Sequence, residues 1–314
     1  MGETINGYRI TTVFTNSNAG MCQWAFAQKN GHDYFIKQLL FPKYPTLATE
    51  KKLAPAIVNA MRAEANEFYT QRKRFYDKLQ ECRTGNVVVV QEFFRANEFY
   101  YIVTDRMFGP FLTIDQISKL SEEKKRTLLK AILYSIMQIH DRGIVHSDLK
   151  PENIMIKQTA AGFCTAKLID FDSGFFEYEI PDEIVGDQRY FSPEAVLRND
   201  ERDVPIGVKS DIFALGLLFH QYWCGDFPTY KRSEYDSASI ALLNHSNLIL
   251  SPNLPPDIRQ LISRMLAKYQ KNRPSAREAW ELLSGKTPAP SPTPVFRKPT
   301  DSDLGFHAPK DDDL

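Results

Sequence analysis

Five short runs near the start of the chain mix aromatic and β-branched residues with polar ones: "YRITTVF", "QWAFAQ", "DYFIKQL", "VVVVQEFF" and "FYYIVTDR". They are separated by "NSNAG", "KNGH" and "RANE", which carry turn residues, so a small β-sheet is predicted. Between the third and fourth runs the apolar period lengthens: Ile57, Met61, Ala65, Phe68, Phe75 and Leu79 recur at helical steps and predict one helix packed on that sheet. From about residue 114 the pattern is helical, with "EEKKRTLLKAILYSIMQIHDRG" amphipathic and closed by Asp141, Arg142 and Gly143. Two short β runs, "NIMI" and "AKLID", follow. Next comes "SDIFALGLLFHQYWCG", apolar on nearly every side, which predicts a helix buried in a second core with Ser210 as its cap. The expected class is α+β, with a small sheet-rich half and a larger helical half. Residues 285–314 carry prolines at close intervals and finish in acids, which reads as a disordered or extended tail.

Composition narrows the function. Lysine plus arginine and aspartate plus glutamate number 39 each, so no net field favours nucleic acid or an anionic membrane. The four cysteines are far apart and have no zinc-ligand spacing. No apolar run approaches the roughly 20 residues of a membrane span, and "MGETINGYRI" lacks a signal-sequence pattern. Gly2 is a weak myristoylation candidate, because Asn6 stands where serine or threonine is usual. A cytoplasmic protein without nucleic-acid or membrane partners is expected.

The chemistry concentrates in "HSDLKPEN", residues 146–153, where Asp148 offers a proton acceptor and Asn153 a neutral oxygen for a hard cation. "LIDFD" adds a carboxylate, Asp170, at the end of a β run, and Lys37 ends the β pattern "DYFIK". In this order the fragments resemble the protein kinase family, over roughly residues 8–284. The resemblance implies a two-lobed kinase fold: an N-lobe at 8–104, a hinge at 105–107 and a C-lobe at 108–284. It also implies ATP and Mg²⁺ (or Mn²⁺) as cofactors and a protein substrate with a serine or threonine acceptor. Lys37 would hold the α- and β-phosphates. Asp148 would accept the hydroxyl proton, Lys150 would neutralise the transferred phosphoryl, and Asn153 and Asp170 would bind the metal. "GDQRYFSPE" and "NRPSAREAW" resemble the segments that pair Glu194 with Arg273, and Asp211 of "SDIFALG" would steady the catalytic loop. Lys37 needs an acid on the helix; Glu64 is the first expectation and Glu67 the second.

The sequence also departs from that pattern. Ser147 replaces the arginine that would receive a phosphate on the activation segment. The segment itself, residues 172–193, has no threonine, a serine near each end and six acids. Its active form is therefore expected not to depend on phosphorylation there. Asp172 stands in place of a glycine, and only Gly20 represents the usual glycine-rich loop. Phe35 stands where a small residue would meet adenine. Thr104 is the expected gatekeeper, Asp105 to Met107 the hinge, and Met155 the pocket floor. His146 and Cys164 read as structural, and Phe213 and Trp223 as core. The alternatives are a pseudokinase that binds without turnover and a small-molecule phosphotransferase; Lys150, "SPE" and Arg273 argue against the latter.

Overall fold

The computed structural model describes residues 2–16, 22–83, 86–160 and 162–286, so Gly20 and the tail beyond Lys286 lie outside the described residues. In chain order the elements are β1 (Thr4–Ile5), β2 (Tyr8–Ile10), β3 (Cys22–Lys29), β4 (His32–Leu39), α1 (Leu47–Glu50), α2 (Pro55–Leu79), β5 (Val90–Ala96) and β6 (Phe99–Asp105). They continue with α3 (Ile114–Ser118), α4 (Glu122–His140), β7 (Ile144–Val145), β8 (Ile154–Gln158), β9 (Cys164–Leu168) and β10 (Phe175–Phe176). The last are α5 (Pro193–Asn199), α6 (Val208–Cys224), α7 (Ala238–Leu243), α8 (Pro256–Met265) and α9 (Ala276–Leu283). The class is α+β. The chain forms two compact units, residues 1–135 with 151–170, and residues 136–150 with 171–314. Their limits differ from a single cut at 105–107, because the polypeptide changes unit inside α4, after Lys150 and after Asp170.

In the first unit six strands form one antiparallel sheet in the order β1-β2-β3-β4-β6-β5. Strand alternation gives the sheet two apolar faces. One carries Ala25, Ala27, Ile36 and Val103 and packs with Ile5, Tyr8, Ile10, Phe94 and Tyr101. The other is held by α2, whose Phe68 and Tyr69 rings meet Phe93 and Tyr100, while the Tyr100 hydroxyl donates to the Ala65 carbonyl at 2.8 Å. The buried stripe of α2 runs through Val58, Ala65, Phe75, Tyr76 and Leu79. Ile57, expected on that stripe, is 51% exposed, since it lies one residue, about 100° of helix, off the line set by Val58 and Ala65. The short β1 escaped the pattern reading because two residues cannot display a period.

In the second unit α6 is buried along almost its whole length. It approaches α8 so closely at Gly216 that an added Cβ would sit 2.9 Å from Leu266. The expected Ser210 cap is corrected: the N-cap is Gly207, and the Glu177 carboxylate accepts the Val208 N–H at 3.1 Å. Ser210 lies inside the first turn, with its hydroxyl 2.8 Å from that of Ser192. Gly225 closes α6 at φ 85°, a left-handed turn that suits glycine.

Candidate active site

In the first unit, alternation along β4 puts Phe35 and Lys37 on the same face of the sheet. Cross-strand register adds Trp24 and Phe26 from β3 and Ile102 and Thr104 from β6. Lys37 Nζ donates to Asp170 Oδ1 at 2.7 Å. That carboxylate reaches the lysine through the β8–β9 hairpin. Ile154 pairs with Leu168, and the Ile169 N–H donates to the Asn153 carbonyl at 3.0 Å, so Asn153 and Asp170 sit at the same end of the hairpin. Asp170 has φ 63°, a left-handed conformation that aspartate tolerates better than most residues but that still stores strain. The arrangement combines a buried amide side chain with a carboxylate. This donor set suits a hard divalent cation whose remaining positions are filled by water and phosphate oxygens.

In the second unit, Asp211 organises the loop that carries Asp148. Its Oδ2 accepts from the His146 N–H at 2.8 Å and from His140 Nε2 at 2.9 Å, and its Oδ1 accepts from the Ser147 N–H at 3.0 Å. Ser147 is the strained residue here, at φ 70°. Two amide bonds to a buried carboxylate hold it in that conformation. Next to it, Lys150 Nζ donates to Asp148 Oδ2 at 2.6 Å. His146 is fully buried with its ring 4.5 Å from that of Phe171, in keeping with a structural role.

With these local geometries in place, residues 47–282 match the protein kinase domain family. The chain belongs to that family. It is 29% identical over 202 residues, 63% of its length, to a probable cAMP-dependent protein kinase catalytic subunit from Encephalitozoon cuniculi. It is 30% identical over 236 residues, 70% of its length, to CDPK-related kinase 7 from Arabidopsis thaliana. With a calcium/calmodulin-dependent protein kinase type II from Caenorhabditis elegans it shares 29% identity over 246 residues, 74% of its length. The matches span only 55%, 39% and 32% of those relatives.

The kinase activation segment, 172–193, is tied down along its length within the second unit. Phe175 and Phe176 pair with Val145 and Ile144, the Glu177 N–H donates to the Gly143 carbonyl, and Arg198 Nε donates to the Pro181 carbonyl. The Asn199 amide both accepts the Ile184 N–H and donates to the Ile184 carbonyl, each at 2.8 Å. The segment ends at the Glu194–Arg273 pair. Arg273 donates to both Glu194 oxygens, at 2.5 and 2.8 Å, and to the carbonyls of Ala267, Lys209 and Lys268.

Several expectations land elsewhere. The ion pair shown for Lys37 runs to Asp170 and not to Glu64. Glu64 and Glu67 are both exposed, and Glu67 accepts from Gln71, while aromatic rings occupy the α2–sheet interface. In the "DFD" segment the positive φ belongs to Asp170, not to Asp172. Phe35 is half-buried beside Trp24 and Phe26, at ring distances of 5.3 and 6.2 Å. Thr104 pairs with Phe35 near the end of β6, and the Asp105 carboxylate accepts from Gln91. Beyond Met107, Leu112 N–H donates to Ile156 O, which ties this stretch of chain to the strand carrying Met155. Burial pushes the Cys164 thiol up, against a nucleophilic role. Sequence reasoning missed Gly186 and Asp187 as neighbours of Asp148: the Asp187 N–H donates to Asp148 Oδ1 at 3.0 Å. Among the described residues, no helix is long and apolar enough to cross a membrane.

Proposed function

We propose that this chain is a serine/threonine protein kinase that transfers the γ-phosphoryl of ATP to a protein hydroxyl. The observation that carries the reading is the loop around Asp148, held by Asp211 in a strained backbone conformation with Lys150 on the Asp148 carboxylate. A carboxylate so fixed can orient an acceptor hydroxyl and take its proton, while Lys150 balances charge that spreads onto the transferred group. Lys37 serves to hold nucleotide phosphates, and Asn153 and Asp170 serve as metal ligands. Mg²⁺ with ATP, when bound, supplies the phosphoryl donor and neutralises its oxygens.

Control by activation-segment phosphorylation is not part of this reading. Ser147 offers no guanidinium to receive a phosphate, and the anchors at Glu177, Arg198 and Asn199 need none. A phosphosite within 173–192 whose removal abolishes activity would overturn it. A second reading, a module that binds without turnover, draws support from the packed Trp24, Phe26 and Phe35 rings on the face that carries Lys37.

The deciding experiment is transfer of labelled γ-phosphate, with Mg²⁺ or Mn²⁺, to the chain itself and to a generic basic protein. Transfer by the wild type that is lost in both Asp148→Asn and Lys37→Met is the expected result. Nucleotide binding by the wild type without any transfer would favour the second reading.

A further inference from the structure

The Asp148 carboxylate is shared. Its Oδ2 takes Lys150 Nζ at 2.6 Å and its Oδ1 takes the Asp187 N–H at 3.0 Å, so the ammonium and residue 187 are neighbours around one side chain. The approach depends on glycine at 186: an added Cβ there would lie 3.0 Å from Asp148 Oδ1 and 3.1 Å from the Phe191 ring. Asp187 thus brings a second carboxylate, 19% exposed, within electrostatic reach of the lysine that the transfer reaction needs. Two anions compete for one ammonium in such a place.

Arg189 occupies the competitor. Its Nε and Nη2 lie on the two Asp187 oxygens at 3.0 and 2.6 Å, and its own N–H adds a bond to Oδ1 at 3.0 Å. This planar fork presents two fixed N–H groups side by side to the carboxylate, a pre-organised match that the single nitrogen of an ammonium does not offer. The Arg189 hydrogen bonds hold the Asp187 carboxyl below the usual carboxylate range, with the Lys150 charge contributing, so the three groups sense one another.

We propose that Arg189 is a positioning residue for phosphoryl transfer: by holding the Asp187 carboxylate it keeps that acid off Lys150 and leaves the ammonium with Asp148. The proposal rests on the kinase reading above. Arg189 acts through Asp187.

The test uses the full chain as wild type, Arg189→Ala, Arg189→Lys and the double variant Arg189→Ala/Asp187→Asn. The double variant removes the competing charge but keeps the 187 N–H. Turnover of labelled ATP onto a basic protein is measured together with acylation of Lys150 by acetic anhydride, quantified by mass spectrometry. Arg189→Ala is expected to lower kcat by about tenfold with KM for ATP little changed, as for a displaced catalytic group, and to slow Lys150 acylation. Arg189→Lys falls in between, and the double variant returns both readouts toward wild type. A double variant as impaired as Arg189→Ala, or an Arg189→Ala that matches wild type, would overturn the proposal. Absence of wild-type turnover would sink the kinase reading alone, because the acylation series still decides whether Arg189 governs Lys150.

Discussion

Two arginine–carboxylate forks in the second unit are both bidentate and differ in surroundings. Arg273 and Glu194 have side chains 0% and 5% exposed, and the guanidinium bonds three backbone carbonyls besides. Arg189 and Asp187 are 62% and 19% exposed, and every bond Asp187 is shown to accept comes from Arg189 itself. The first fork joins residues 79 positions apart, the second residues two apart. Contact distance therefore says little about what an ion pair is for. Burial and the sequence distance bridged separate a pair that holds an architecture from one that adjusts a neighbour.

Breaking the buried fork is expected to have the largest effect. Arg273→Ala leaves Glu194 charged and unpaired in the interior and should cost about 3–5 kcal/mol in urea unfolding, whereas replacing both partners by apolar residues should cost less than either single change. Next comes Asp211→Asn, which offers one acceptor oxygen where two backbone amides bond two; a loss of about 1–3 kcal/mol is expected in thermal melting. Arg189→Ala should change stability by less than about 1 kcal/mol, and the change should shrink further in high salt, in contrast to its expected effect on turnover.

The smallest effect depends on pH. His220 is buried: its Nδ1–H donates to the Asp226 carbonyl and its Nε2 accepts the Ser251 N–H, while the Asp226 charge opposes the effect of burial without overcoming it. Burial holds its pKa below the ordinary imidazole value. The unfolded chain therefore binds a proton first, and stability falls as pH drops below about 6.5 while being unaffected above it. Urea midpoints from pH 7.5 to 5 should fall less steeply for His220→Asn than for wild type.

How much of this could be read from the sequence depended on range. Strand and helix periods report local burial, so Ala65 and the core of α6 were legible in the pattern. Arg273 and Glu194 were also named in advance, through family motifs and not through spacing. What escaped was set by tertiary placement. The cap of α6 comes from Glu177, 31 residues upstream, so the nearby Ser210 misled. The partner shown for Lys37 is 133 residues away, and helical angle on α2 could not reveal that Phe68 packs on Tyr100 of the sheet while Glu64 stays exposed. Asp187 looked like one acid among six, since nothing in "GDQR" shows that its backbone faces Asp148.

The Glu177 cap gives α6 a remote sensor. Because the amide of Val208 is satisfied by a side chain of the activation segment, any excursion of that segment strips protection from the first turn of a helix otherwise sealed in the core. Deuterium uptake at Val208 should then rise and fall with the opening of residues 173–185 while the amides of Ile212 to Trp223 stay silent. A single backbone position reports on the motion of a whole loop.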